Sequence, residues 1–381
     1  MKVLLVYPWL HHKNMMCKLA EEMKKHGITS DILCIANLSL INNSHIFAPQ
    51  LFFKFGMLLR IIKPLFLSNI LVRLYEKYIL TLFLMRYDKV DFHSYMDFYQ
   101  NLIEGCINKK IEYDITVWGS DVLRATEEDF DKREIGYENC TCIRGIDKLL
   151  NRLSEVYNKR FDGKMIPAYL GNTNYPVIEN LSLDSLNSVS RNLGINTTDK
   201  INVLCGYNAS PSQQHSIIID AITDLSLEAK DKIKVIVPMT YDLQLEYLNK
   251  IEEKLKTTGV EYLILNKFLN PEELAVLRTN SQILIDMQVS DAFSGALQDT
   301  LFCENVVIVA DWLNYPPYDR NNVFYKKTSQ GSLSKVIEDV VLHYLEYKMR
   351  CKGNREKLRN ISSWDCCIKQ WVKATLKRKE I

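Results

Sequence analysis

The chain alternates short, wholly apolar runs with longer amphipathic ones, and it does so twice. "KVLLVY" opens the sequence, a helix-period segment fills roughly 12 to 26, Gly27 stands where a helix should stop, and "SDILCIA" follows. "KVDFHSY" (89 to 95) and "YDITVWGSD" (113 to 121) read as further short strands that end in polar residues. From about 200 the alternation restarts with "INVLCGYN", "SIIIDAITDL", "IKVIVPM" and a helix ended by Gly259. It continues through "EYLILNK", "NPEELAVLRTN" with Pro271 at a helix start, "SQILIDM", a helix after Ser294, and "VVIVAD". Strands apolar on both faces, separated by helices, dictate parallel sheets covered by helices. The expected fold class is therefore α/β with two Rossmann-like domains.

A polar stretch, "ENLSLDSLNSVSRNLGINTTDK", separates the two sets, and 381 residues exceed what one core usually covers. The expected domains are an acceptor-binding 1–190, a donor-binding 198–350, and 351–381 as a C-terminal helix that packs back on the body. In that tail, Trp364, Cys367, Ile368, Trp371, Val372 and Leu376 fall near helical spacing, so one face should pack back on the body.

Composition removes several classes. With 48 basic against 46 acidic residues the net charge is +2, so no global field argues for a nucleic-acid partner. The loop "PWLHHKN" after the first strand lacks glycine and does not match the dinucleotide fingerprint, which disfavours a nicotinamide enzyme. The close cysteine pairs, Cys140 with Cys142 and Cys366 with Cys367, have neither zinc nor redox spacing, so we expect a reducing cytoplasm. The N-terminal apolar run meets Pro8 and reads as a buried strand rather than a signal peptide. Segment 51–87 is rich in large apolar residues but has no charge-free run of about 18, so a spanning helix is rejected. It reads either as a buried helical pair or as a face that touches a membrane surface.

Ligands of open parallel sheets bind at the carboxyl ends of strands. That places His93, Ser94, Trp118, Gly119, Ser120 and Asp121 in a candidate acceptor cleft, with His11 and His12 after the first strand. In "SDAFSGALQDTLFCENVVIVADW" (290 to 312), Ser294 can cap a helix whose first turn holds Gly295 and Ala296, and the free N–H groups there attract an anion such as phosphate. Asp299, one turn further in, can accept from a ribose, and Asp291 precedes the helix where it can meet the group beyond the phosphates. Each residue also has a plainer role: Asp291 as a loop or cap residue, Asp299 as a solvated helix residue, and His93 as a satisfied structural histidine. The Trp118 to Asp121 stretch can equally be a packing tryptophan followed by a capped turn.

Here the sequence resembles the GT-B glycosyltransferases, in particular the family-4 type that builds capsule, O-antigen and glycolipid sugars. "DAFSGALQDTLFCENVVIV" keeps the spacing of that family's two acids, with Asp291 and Asp299 for its two Glu, and departs at Glu304-Asn305-Val306, where Gly and Pro are usual. "YDITVWGSD" is similar to the strand that ends in His-Gly-Ser-Asp, with Trp118 for His, and "VDFHSY" to the strand carrying the active-site His, matched by His93. "LCGYNASPSQQHSIIIDAI" resembles the first strand, loop and helix of the donor domain. That loop lacks the family's Arg and Lys and offers Asn208, Ser210 and His215 instead. Gln-His before a helix, with "PMTYD" after it, is also similar to transferases that add Fuc4NAc to a lipid-linked acceptor, which implies His215 as a diphosphate ligand.

The resemblance implies two domains facing across a cleft, with His93 and Asp291 in catalysis. It assigns Asn208, Ser210, His215, Ser294, Gly295, Ala296 and Asp299 to the donor, and His11, Trp118, Gly119, Ser120 and Asp121 to the acceptor. The expected activity is transfer of a sugar from a nucleoside diphosphate sugar, without metal or other cofactor, to a glycan or lipid-linked acceptor at the cytoplasmic membrane face. Family 4 implies retention of configuration; inversion would need a base such as His93 or Asp121. A nucleotide-sugar 2-epimerase and a non-catalytic GT-B-like binding protein are the rival readings.

Overall fold

The computed structural model describes residues 1–9, 12–41, 43, 54, 56–58, 66–195, 200–241 and 243–377. It forms two compact units: Met1–Gly171 joined by Trp364–Ile381, and Asn172–Ser363.

The first unit is built on strands β1 (Lys2–Tyr7), β2 (Thr29–Cys34), β3 (Ser39–Ile41), β4 (Lys89–His93), β5 (Tyr113–Thr116), β6 (Cys142–Gly145) and β7 (Met165–Pro167). They lie in the order β3-β2-β1-β4-β5-β6-β7, and only β3 runs antiparallel, pairing its Leu40 with Leu33 of β2. The helix Lys13–Lys25 buries Met16, Leu19, Ala20 and Met23, the i, i+3, i+4, i+7 stripe of its sequence. Those side chains share a core with Val3, Leu5 and Tyr7 of β1 and with Trp364, Ile368 and Trp371 of the last helix, Trp364–Leu376.

The second unit carries β8 (Ile201–Cys205), β9 (Ile233–Pro238), β10 (Glu261–Leu265), β11 (Ile283–Asp286), β12 (Val306–Ala310) and β13 (Lys326–Thr328). Their order, β10-β9-β8-β11-β12-β13, is wholly parallel and is the Rossmann order. The chain winds outward from β8 in both directions, so a crevice opens between β8 and β11 at their carboxyl ends. There Gly206 N donates to Ile285 O at 3.0 Å, and Val289 N to Ser212 O at 2.9 Å.

Two segments differ from the sequence reading. The polar stretch expected as a linker contains the helix Leu183–Leu193, capped by Ser182 and ended by Gly194, and it belongs to the second unit. Its polarity comes from a largely exposed face rather than from a lack of structure, and the chain passes between units at Gly171/Asn172 instead of at 190 to 198. Residues 351–381 are not one returning helix. Gly353 at φ +87° separates Tyr344–Cys351 from Asn354–Ser362, and extended Ser363 precedes the helix that rejoins the first unit. Within 51–87, a helix Phe66–Leu74 is continued by a π-turn, Tyr75–Leu80, and by Thr81–Leu84. It buries Val72, Tyr75, Leu80, Phe83 and Leu84 and exposes Leu71, Leu74, Tyr78, Leu82 and Met85.

Candidate functional site

The loop after β11 and the helix Gly295–Phe302 assemble the two acids. Ser294 Oγ accepts from Leu297 N at 3.3 Å, so it is the N-cap. Asp291 Oδ2 accepts from Ser294 N at 3.1 Å and from the buried Tyr315 hydroxyl at 2.7 Å, which locks the turn that starts the helix. Gly295 and Ala296 then line a pocket of about 240 Å³ within the second unit. A Cβ added at Gly295 would meet nothing within 4 Å, so the first-turn backbone there is open to a guest. Helix polarity favours an anion at this point.

Asp299 lies on the wall of the same pocket. Its two oxygens accept from Asn172 Nδ2 at 2.8 Å and Asn174 Nδ2 at 2.7 Å, so the carboxylate is aimed by two amides from the start of the unit. Burial pushes its pKa up to about 6, while Arg278 and the two amides pull it the other way. Asp299 keeps acceptor capacity on both oxygens, as a ribose requires. Arg278 reaches the pocket from the helix Pro271–Thr279, and burial lowers its pKa. Tyr207, Tyr241 and Phe268 supply aromatic wall; Phe268 is 71% exposed, an apolar ring held in solvent beside a cavity.

The remaining donor candidates lie in the loop after β8 and bond to that loop's own neighbourhood. Asn208 Oδ1 accepts from Ser210 N at 2.8 Å and its Nδ2 donates to Tyr241 OH at 3.0 Å; Ser210 Oγ pairs with Ser212 Oγ at 2.8 Å. His215 opens the helix His215–Thr223 but is fully buried, with Nδ1 3.1 Å from Tyr247 OH. Burial pushes its pKa down to about 4, so the ring is neutral at physiological pH. Asn208, Ser210 and His215 are not among the residues that line the pocket, whereas Gly295, Ala296 and Asp299 are.

In the first unit His93 ends β4, buried on every side. Its Nδ1 accepts from Trp118 Nε1 at 3.2 Å, its Nε2 lies 3.2 Å from Asp91 Oδ2, and its ring stacks on Trp371 with centroids 5.7 Å apart. Because an indole only donates, the neutral ring carries its proton on Nε2, facing the carboxylate. Asp91 also takes Arg144 Nη1 at 2.9 Å and Thr116 Oγ1 at 2.9 Å, and Arg144 bonds Asp114 as well. Asp121 is spent on its own turn: Oδ1 accepts from Trp118 N at 3.0 Å and Gly119 N at 2.7 Å, and burial raises its pKa to about 6. Ser120 beside it is exposed, Trp118 packs its ring 4.4 Å from His12, and His11 lies outside the described residues. Among the described residues no group of three or more His, Cys, Asp or Glu is arranged to hold a metal ion.

Sequence reasoning missed Asn172, Asn174, Tyr315 and Arg278. The first two stand more than 120 positions from Asp299, and Arg278 reads as an ordinary basic residue in a last helical turn.

The architecture is the GT-B fold. A glycosyltransferase from Rickettsia africae superposes with a TM-score of 0.74 at 15% identity, covering 98% of this chain and 97% of that one. HepE from Anabaena, solved with UDP and glucose, gives 0.69 at 10% identity over 98% and 99%. The UDP-GlcNAc 2-epimerase of Neisseria meningitidis, bound to UDP-GlcNAc, gives 0.64 at 16% identity over 99% and 100%. No protein-family model matches the sequence, and no curated protein does.

Proposed function

We propose that the protein is a glycosyltransferase that takes a sugar from a nucleoside diphosphate sugar. The observation that carries this reading is the pocket of the second unit, where an open helix N-terminus, a carboxylate aimed by two amides, a buried guanidinium and aromatic wall meet in about 240 Å³. That combination matches a nucleotide: Asp299 for ribose hydroxyls, Gly295 and Ala296 N–H groups for phosphate, and Tyr241 or Phe268 for the base. The GT-B fold supports it, because similar structures such as HepE hold UDP and UDP-glucose.

Chemically, a leaving diphosphate gains charge in the transition state, and fixed N–H dipoles stabilise it without reorganisation. In this reading the chain's own dipoles and cations serve, and no metal is needed. Asp291, locked by Ser294 and Tyr315, stands one turn before those dipoles and acts on the transferred sugar. His93 and the Trp118 to Asp121 turn serve the acceptor. The acceptor we propose is a lipid-linked glycan of surface polysaccharide assembly at the cytoplasmic membrane face, supported by the exposed apolar row of 71 to 85.

The test is turnover. The protein is incubated with UDP-, GDP- and dTDP-sugars, with and without lipid extract and with a chelator, and release of nucleoside diphosphate is followed. Release that requires the lipid acceptor and survives chelation supports the reading. Interconversion of the free sugar nucleotide without acceptor would favour the epimerase, which the similarity to the Neisseria enzyme keeps open.

A further inference from the structure

We propose that Arg278 is the residue that takes the donor's diphosphate, so that the cation of this site comes from the helix after β10 rather than from the loop after β8. The inference rests on the donor-site reading above and deepens it.

The helix Pro271–Thr279 is fixed at its start by a capping box, in which Asn270 Oδ1 accepts from Glu273 N at 3.0 Å and Glu273 Oε2 from Asn270 N at 2.8 Å. With that register set, Leu274 and Arg278 are four positions apart on one face, and both line the pocket. Arg278 is 3% exposed, and its Nε and Nη1 have no hydrogen-bond partner. A buried guanidinium with idle donors is costly unless something arrives to pair with it. The charge of Asp299 acts on Arg278, yet both Asp299 oxygens are already engaged by Asn172 and Asn174.

The ligand class follows from charge and position. The stretch "GYNASPSQQ" after β8 contains neither Arg nor Lys, and Arg278 is the only Lys or Arg among the residues described as lining the pocket. A nucleoside diphosphate carries more than one negative charge, which two backbone N–H groups do not neutralise. A guanidinium does so, and its planar fork suits phosphate oxygens. A free nucleoside would draw on Asp299 and the aromatic rings but not on Arg278.

Calorimetric titrations of UDP, UMP and uridine, with the corresponding guanine and thymine series, compare the parent with Arg278→Met and Arg278→Lys, alongside ligand-free melting curves. One diphosphate should bind the parent better than its nucleoside. Arg278→Met should lower that diphosphate's affinity at least about tenfold more than the nucleoside's and raise the ligand-free Tm, because an unpaired buried charge has gone. Arg278→Lys should fall between. An unchanged ratio of diphosphate to nucleoside affinity in Arg278→Met overturns the proposal while the donor site stands. Joint loss of Tm and nucleoside affinity also overturns it, since Arg278 would then be a structural partner of Asp299. If the parent binds none of the three series, the donor-site reading itself falls and the proposal with it.

Discussion

Asn174 donates to Asp299 Oδ2 at 2.7 Å across 125 residues of sequence, so the start of the second unit holds the acid proposed to bind ribose. The amide leaves the carboxylate buried, oriented and still able to accept. Asn174→Ala should therefore weaken nucleoside binding with Asp299 intact, by about 1 kcal/mol, the worth of one hydrogen bond.

Asp299 also gives the site a pH signature. Its folded pKa is pushed up to about 6 from 3.8, so the folded state holds the proton more tightly than the unfolded chain. The stability this contributes is present below the unfolded value and is lost as pH rises through about 6. Nucleoside affinity should run the other way, rising across the same window as the acceptor ionises. Titrations at stepped pH on the parent and on Asp299→Asn check this: the substitution should flatten both curves.

The buried charge pairs of the first unit should be unforgiving. Asp91 is shared by Arg144, Thr116 and His93 with no exposure on Asp91 or Arg144 beyond 1%. Asp91→Ala removes one of the two carboxylates that pair with the buried Arg144 guanidinium and should cost about 3 kcal/mol in chemical denaturation. Trp118→Phe removes only the indole N–H from His93 Nδ1 and should cost far less, while freeing that nitrogen. Nitrogen-15 spectra of the imidazole should show the Nε2–H form in the parent and a mixture in Trp118→Phe.

Gly206 sits at φ +64°, and a Cβ added there would lie 2.9 Å from both Gln213 Oε1 and His215 Nε2. Gly206→Ala meets both a strained backbone and a crowded floor, so it should destabilise by about 1–3 kcal/mol in a melting or denaturant experiment.

The strands of both units were legible because parallel strands are buried on two faces and leave unbroken apolar runs; β9, β11 and β12 are buried at every position. The turn from Asp291 to Asp299 was legible because cap and helix lie within ten residues. Arg278, Asn172 and Asn174 were not, since nothing local marks a side chain whose meaning comes from a partner on another element. The polar helix Leu183–Leu193 was mistaken for a linker because its face toward the helix Pro271–Thr279 is narrow and its other faces are Ser and Asn.

The exposed row Leu71, Leu74, Tyr78, Leu82 and Met85 advances by three or four residues at each step, with exposed Arg73 and Arg86 beside it. No described helix is long and apolar enough to cross a membrane, and the lipid contact proposed above is one at the surface. The parent should sediment with vesicles containing phosphatidylglycerol and less with neutral ones. Leu74→Glu with Leu82→Glu should abolish sedimentation without lowering Tm.

The most direct test of the central claim is calorimetric binding of UDP, GDP, dTDP and CMP to the purified protein beside Asp299→Ala. The account predicts that one diphosphate binds specifically and that the substitution weakens it by about 1–3 kcal/mol, the loss expected for charged hydrogen bonds. Absence of binding, or equal binding by Asp299→Ala, would contradict it and favour a GT-B-like protein that binds partners without catalysis.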